Sequence, residues 1–173
     1  MSDTALLEGK KLLVVDDEPD VLEVMVDLLR MCRVTTASNF EDAKNLLETR
    51  TFHLAVLDIM GVDGFGLLRI AGRKKIPAVM LTAHAFNPPN LVKSIKEGAA
   101  AYLPKEEITR IADFLNDVLL AKATGKDPWG AWQDRLPASF FDKRWGAAWR
   151  DADKEFWETF RKSLKAKDAD KNK

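Results

Sequence analysis

The sequence predicts an α/β domain, a doubly wound sheet of five parallel strands, followed by an α-helical C-terminal extension. Three observations carry this reading. Short apolar runs end abruptly in polar residues: Leu54 to Leu57 stops at Asp58, Leu12 to Val15 at Asp16 and Asp17, and Val79 to Leu81 at Thr82. Such runs, bounded by polar or turn residues, read as strands buried in a parallel sheet. Stretches of helical period lie between them, and right-handed crossovers then place helices on both faces of one sheet. Finally, all five tryptophans (Trp129, Trp132, Trp145, Trp149 and Trp157) fall in the last third of the 173 residues.

Taken in order, the first strand is Lys11 to Val15. A helix follows from Pro19 or Asp20, with Val21, Leu22, Val24, Met25, Leu28 and Leu29 in helical period. Pro19 suits the first turn, where its missing N–H costs nothing. Strand two is Val34 to Ala37, and Ser38 or Asn39 caps a helix carrying Phe40, Ala43, Leu46 and Leu47. Strand three ends in Asp58, and the third helix holds Phe65, Leu67, Leu68 and Ile70. Strand four is Ala78 to Leu81, and Asn87 with Pro88 opens helix four, which Gly98 stops. Strand five is Ala101 to Leu103, and helix five runs from Ile108 to Leu120.

TGKDP then reads as a linker or turn, dividing residues 1–124 from an extension over 125–173. Asp127 and Pro128 form a cap and first residue for a short helix bearing Trp129 and Trp132. Pro137 breaks it, and Ser139 is expected to cap a second helix. There Trp145, Trp149, Ala152, Phe156, Phe160 and Leu164 recur every three or four residues as a stripe. Gly146 is the weak point of that helix, by up to about 1 kcal/mol relative to alanine. Each buried aromatic or leucine is worth roughly 1.5–3 kcal/mol. The stripe must therefore pack on its own domain, on a second copy or on a partner. The last eight or so residues are expected to be disordered.

At 46% hydrophobic and 31% charged residues the chain is globular, and its formal net charge of zero marks no nucleic-acid or membrane binder. Cys32 is the only cysteine, which excludes an intramolecular disulfide and fits a reducing compartment. No signal-peptide core or run of transmembrane length occurs, so a soluble cytoplasmic protein without membrane insertion is expected. His53 and His84 are the only histidines, and neither lies near a cysteine, so a zinc site is not expected.

Parallel strands bring their carboxyl ends to one edge, where open α/β sheets place their ligands. That edge gathers Asp16, Asp17, Asp58, Thr82 and, after the fourth apolar run AAAYLPK, Lys105. Carboxylates so crowded stay ionised together when a cation joins them. Oxygen-only ligands suit a hard divalent ion such as Mg²⁺. Carboxylate, Mg²⁺, lysine and hydroxyl together make a site for phosphoryl transfer onto Asp58.

The ordered set DDEPD, LDIM followed by DG, LTAHA and GAAAYLPK resembles the receiver domain of a two-component response regulator, over roughly the first 120 residues. The resemblance implies a flavodoxin-like sheet of order 2-1-3-4-5. It implies that Asp58 accepts a phosphoryl group from a sensor histidine kinase or phosphotransfer protein. Asp16, Asp17, Asp58 and the Met60 backbone carbonyl would hold Mg²⁺, with Glu18 a lesser participant. Thr82 would donate its hydroxyl to the phosphoryl group, Lys105 would pair with a phosphoryl oxygen, and Tyr102 with Thr82 would form the switch. Ala83 is small, as the family prefers. Plainer readings stand beside these: Asp58 as a cap for the next helix, Asp16 and Asp17 as an N-terminal cluster, Tyr102 as half-buried packing. His84 either tunes water access or is an ordinary loop residue.

Two departures from the family pattern stand out. DIMGVDG is about two residues shorter than the usual loop and lacks its proline, so the start of helix three and the rate of phosphoryl loss are where differences are expected. Pro104 precedes Lys105, and Glu106 follows it, where many receivers have a proline after the lysine. The function expected is a phosphorylation-controlled switch acting through protein contacts, with self-dephosphorylation but no turnover of an external substrate. Homodimers through the C-terminal helices or the face of helix four, strand five and helix five are one expected output. A DNA-binding regulator is the alternative, although the extension shows no helix-turn-helix pattern or concentrated basic face.

Overall fold

The computed structural model describes residues 5–171, with side chains as far as Lys165. Five strands, β1 (Lys11–Val15), β2 (Arg33–Ala37), β3 (Leu54–Asp58), β4 (Ala78–Thr82) and β5 (Ala101–Pro104), form one parallel sheet in the order β2-β1-β3-β4-β5. The expected doubly wound sheet is observed, and the order is the one the family resemblance implied. Register aligns Val15 with Ala37 and Leu57, Asp58 with Leu81, and Thr82 with Pro104, so the carboxyl ends lie level. Between the strands run α1 (Pro19–Leu28), α2 (Phe40–Thr49), α3 (Gly64–Arg73) and α4 (Pro88–Lys96).

Helix starts follow the local chemistry. Pro19 occupies the first turn of α1. Asn39 Oδ1 accepts from the Asp42 N–H at 2.8 Å, and Asn87 Oδ1 from the Asn90 N–H at 2.9 Å. Each bond satisfies a first-turn donor that the helix leaves without a partner. Helix α5 (Ile111–Thr124) starts three residues later than expected, because Lys105–Arg110 forms a 3₁₀ stretch kinked at Glu107. Gly125 ends it in the left-handed conformation that favours glycine.

The two edges of the sheet differ. Four of the five residues of β2 are at least partly exposed, whereas β5, the opposite edge, is buried throughout. The extension covers β5. It consists of α6 (Pro128–Arg135), α7 (Ala138–Trp145), a 3₁₀ turn (Trp149–Asp153) and α8 (Lys154–Lys171). Asp127 caps α6 as expected, its Oδ1 accepting from the Trp129 N–H at 3.0 Å.

Two expectations for the extension are corrected. Pro137, not Ser139, holds the capping position of α7, because the Pro137 carbonyl already accepts from the Phe140 N–H at 2.9 Å and places Ser139 inside the helix. The single long helix is also broken. Gly146, at φ +83°, ends α7, and the 3₁₀ turn that follows resets the helical phase. Ala152 is consequently exposed, and Trp157 is buried in its place.

Trp129, Trp132, Phe141, Trp149, Trp157, Phe160 and Leu164 join one continuous core with the sheet. The Trp129 indole donates to the Ala99 carbonyl at 2.9 Å, and the Trp132 indole to the Tyr102 carbonyl at 2.8 Å. Arg135 pairs with Asp117 and Asp113 on α5. The expected disorder of the last eight or so residues falls on residues 166–173, outside those whose side chains are described. No helix among the described residues is long and apolar enough to cross a membrane.

Candidate functional site

Asp58 ends β3 at the centre of the carboxyl edge and is only 4% exposed. Asp16, fully buried, follows β1 next to it, and Asp17 and Glu18 lead outward to α1. The loop after β5 delivers Lys105. Its ammonium lies 2.8 Å from Asp16 Oδ2, 3.2 Å from Glu18 Oε1 and 3.6 Å from Asp58 Oδ1. Every acid and base that the sequence placed at this edge is there. Glu18, expected from sequence to be a lesser participant in holding Mg²⁺, contacts the Lys105 ammonium.

The charges set one another's proton affinities. Burial pushes the Asp58 carboxyl up to about 7, the charges of Asp16 and Asp17 add to that, and the Lys105 ammonium opposes it. Burial works to lower Lys105, but its contacts with Asp16 and Glu18 and the charges of Asp16 and Asp58 outweigh burial and raise it. The acids around Lys105 thus favour its charged form, while burial favours the neutral form of Asp58.

The short turn after Asp58 is built on glycine. Gly61 has φ +85°, and a Cβ there would lie 2.5 Å from Asp17 Oδ2. A Cβ on Gly64 would lie 2.1 Å from the Asp58 carbonyl oxygen. Asp63, at φ +52°, caps α3 by accepting from the Gly66 N–H at 3.2 Å. Aspartate is among the few side chains that tolerate this conformation. The loop thus closes by laying backbone directly against Asp17 and Asp58. The Met60 side chain is largely exposed, at 56%.

Asp16, Asp17 and Glu18 each offer a carboxylate oxygen, all within 4.8 Å of one another. Asp16 Oδ1 accepts from the Glu18 N–H at 2.9 Å. Its buried Oδ2 has no aligned hydrogen bond and meets the Lys105 ammonium alone. Oxygen-only donors, an under-used buried carboxylate oxygen and a glycine that keeps space before Asp17 fit a hard divalent cation. Asp58 lies outside the tight acidic group, joined to Asp16 through Lys105.

Thr82 ends β4 beside Asp58 and is 1% exposed; its Oγ1 accepts from the Ala85 N–H at 3.0 Å. Tyr102 is fully buried, its hydroxyl donating to the Ala85 carbonyl at 2.8 Å and accepting from the Asn87 N–H at 3.0 Å. Both switch candidates therefore hold the same residue, Ala85, which sequence reasoning passed over. Ala83 and His84 are exposed on this loop. His53 lies at the far end of β3, where its Nδ1 accepts from the Lys11 N–H at 3.0 Å.

Comparison with known proteins gives the same picture. The chain is 36% identical over 104 residues to the two-component response regulator ARR10 of Arabidopsis thaliana, a stretch covering 56% of this chain and 19% of that protein. It is likewise 36% identical over 104 residues to ORR21 of Oryza sativa subsp. indica, covering 56% and 15%. The chain thus spans less than a fifth of the length of these relatives. Among solved structures, a response regulator from Chloroflexus aurantiacus superposes with a TM-score of 0.59 at 25% identity, covering 65% of this chain and 99% of that one. Response regulator DrrB of Thermotoga maritima superposes with a TM-score of 0.53 at 28% identity, covering 61% and 49%. The family model of the response regulator receiver domain matches residues 12–116, and the chain belongs to that family.

Proposed function

We propose that this chain is a phosphorylation-controlled signalling switch that takes a phosphoryl group on Asp58 from the phosphohistidine of a sensor kinase or phosphotransfer protein. The observation that carries this reading is the position of Asp58, buried at the end of the central strand with Asp16 and the Lys105 ammonium beside it. An ionised Asp58 oxygen attacks phosphorus, the new P–O bond forms as the P–N bond breaks, and the imidazole leaves on the opposite side. Lys105 neutralises a phosphoryl oxygen, and Thr82 donates its hydroxyl to another. Asp16, Asp17 and Asp58, with the Met60 carbonyl, would hold Mg²⁺, which supplies charge neutralisation to both carboxylate and phosphoryl group. Removal of the phosphoryl group by water resets the switch, and no external substrate is turned over.

The proposal places the protein in the cytoplasm, where such kinases present their phosphohistidine. Residues 1–124 act as the receiver and 125–173 as its own attached output element. A homodimer through α4, β5 and α5 would first need the extension to leave that face. A DNA-binding output finds no support in an extension whose aromatic residues face its own sheet.

The test is incubation with acetyl phosphate and Mg²⁺, read by intact mass. One hydroxylamine-sensitive phosphoryl group is expected on the native protein and none on Asp58→Asn. Equal labelling of both proteins overturns the assignment.

A further inference from the structure

We propose that the extension is divided in function at Pro137: α6 is a fixed cap on the sheet edge, and α7 reads the state of Asp58 through Phe86. This inference rests on the phosphoacceptor reading of Asp58. The geometry that carries it is a chain of contacts through the loop between β4 and α4. Ala85 donates its N–H to Thr82, and its carbonyl accepts from the Tyr102 hydroxyl, so one residue joins the site to the aromatic side. Phe86 is the next residue. Its ring stacks on Tyr102 at 5.3 Å between centroids and packs on Trp145 of α7 at 4.8 Å. Its carbonyl accepts from the Trp145 indole at 3.3 Å.

The bonds of α6 run elsewhere. Trp129 and Trp132 hold the carbonyls of Ala99 and Tyr102 at the edge of the sheet, and Arg135 grips α5. The Tyr102 carbonyl lies on β5 and the Ala99 carbonyl in the turn before it, and neither belongs to the loop between β4 and α4. The indoles of α6 are therefore held by main-chain carbonyls outside the loop, whereas Phe86 of the loop packs directly on Phe140, Phe141 and Trp145 of α7.

The chemistry at Thr82 makes the second contact responsive. Oγ1 accepts one bond from Ala85, and the hydroxyl keeps its own proton to donate. Thr82 adjoins Leu81, which is paired in register with Asp58. An anionic phosphoryl oxygen on Asp58 is a charge-assisted acceptor, stronger than any neutral one on the loop. Turning the hydroxyl toward it takes the acceptor away from the buried Ala85 N–H, which must find another partner. Ala85 and Phe86 share a peptide bond, so the loop cannot re-bond without moving the ring and carbonyl that Trp145 holds. Coupling of this kind is reciprocal, so a docked α7 biases the loading of Asp58 by the same factor.

The experiment uses the full chain labelled with 5-fluorotryptophan, its five fluorine resonances assigned by single Trp→Phe substitutions. Mg²⁺ and beryllofluoride are then added, and the bound fluoride resonance itself reports loading of the site. On loading, the Trp145 resonance is expected to shift while those of Trp129 and Trp132 hold their positions. Phe86→Ala is expected to load beryllofluoride and keep the Trp129 and Trp132 positions, with no loading-dependent shift at Trp145. Bound fluoride with a stationary Trp145 overturns the proposal, as does a Trp145 that still responds in Phe86→Ala. Trp129 and Trp132 moving as far as Trp145 overturns the division at Pro137. No bound fluoride resonance, in a protein that Asp58→Asn leaves unchanged, overturns the acceptor reading and this inference with it.

Discussion

Replacing Asp58 with asparagine should stabilise the metal-free protein, and the size of the effect follows from its surroundings. Burial and the neighbouring acids lift the carboxyl from its ordinary 3.8 to about 7. A group whose proton affinity is higher in the folded state makes that state bind more protons, so stability falls as pH rises from about 4 to about 7. Roughly three pH units at about 1.4 kcal/mol each put the full cost at about 4 kcal/mol by pH 8. Asparagine, neutral at every pH, removes this cost, in which the opposing attraction of the Lys105 ammonium at 3.6 Å is already included. The gain is therefore about 4 kcal/mol at pH 8, closing toward zero below pH 4. Urea unfolding of both proteins in EDTA between pH 4 and 8 measures it. Added Mg²⁺ should narrow the gap at pH 8, because the cation offsets the charge that the native protein must otherwise carry. A variant no more stable than the native protein at pH 8, or a gap that does not change with pH, would refute this account of the site.

Gly61→Ala should cost about 1–3 kcal/mol of stability and weaken Mg²⁺ binding several-fold, because the new Cβ meets both a left-handed backbone and the Asp17 carboxylate. A Mg²⁺ titration identical to that of the native protein would show that Asp17 takes no part. Lys105→Ala should leave Mg²⁺ affinity intact or tighter, since a competing cation beside Asp16 is removed, yet slow labelling by acetyl phosphate tenfold or more. Labelling at the native rate would remove Lys105 from the chemistry. A chain ending at residue 124 should be less stable and associate more strongly with rising concentration than the full chain, as light scattering would detect. Equal association of the two would show that the extension does not shield the sheet edge.

Much of this was legible in sequence because strand ends announce themselves. Leu54 to Leu57 and Leu12 to Val15 stop at charged residues, and a buried parallel sheet must turn such charges toward its carboxyl edge. Asp16, Asp58 and Lys105 therefore come together at that edge, where Thr82 also ends β4. Glu18 was harder to weigh, because an acid at the start of a helix has a sufficient local reason to be there. Its bond to Lys105 spans 87 positions and leaves no local trace. The extension was the least legible part. A stripe counted at three- and four-residue spacing assumes an unbroken helical phase, and Gly146 with the 3₁₀ turn after it resets that phase. Ala85 and Phe86 gave no signal, since their importance lies in contacts with Tyr102 and Trp145, 17 and 59 positions away.

The edge of the sheet explains why the extension is so rich in tryptophan. In the order β2-β1-β3-β4-β5 the last strand has a neighbour on one side only, and its residues Ala101, Tyr102 and Leu103 are apolar. An apolar edge with free carbonyls invites pairing with another chain. A helix packed against it buries the side chains but has no backbone N–H to offer the carbonyls. Tryptophan meets both needs, because its ring buries a large apolar area while the indole N–H donates from the rim. Trp129 and Trp132 do this at Ala99 and Tyr102 on either side of the strand's start. Their spacing of three residues on α6 keeps both on one face of the helix, with Arg135, three residues further, reaching α5. Phenylalanine in either place would bury similar area and leave a carbonyl without a donor, which is why an aromatic stripe alone, without indoles, would not seal this edge.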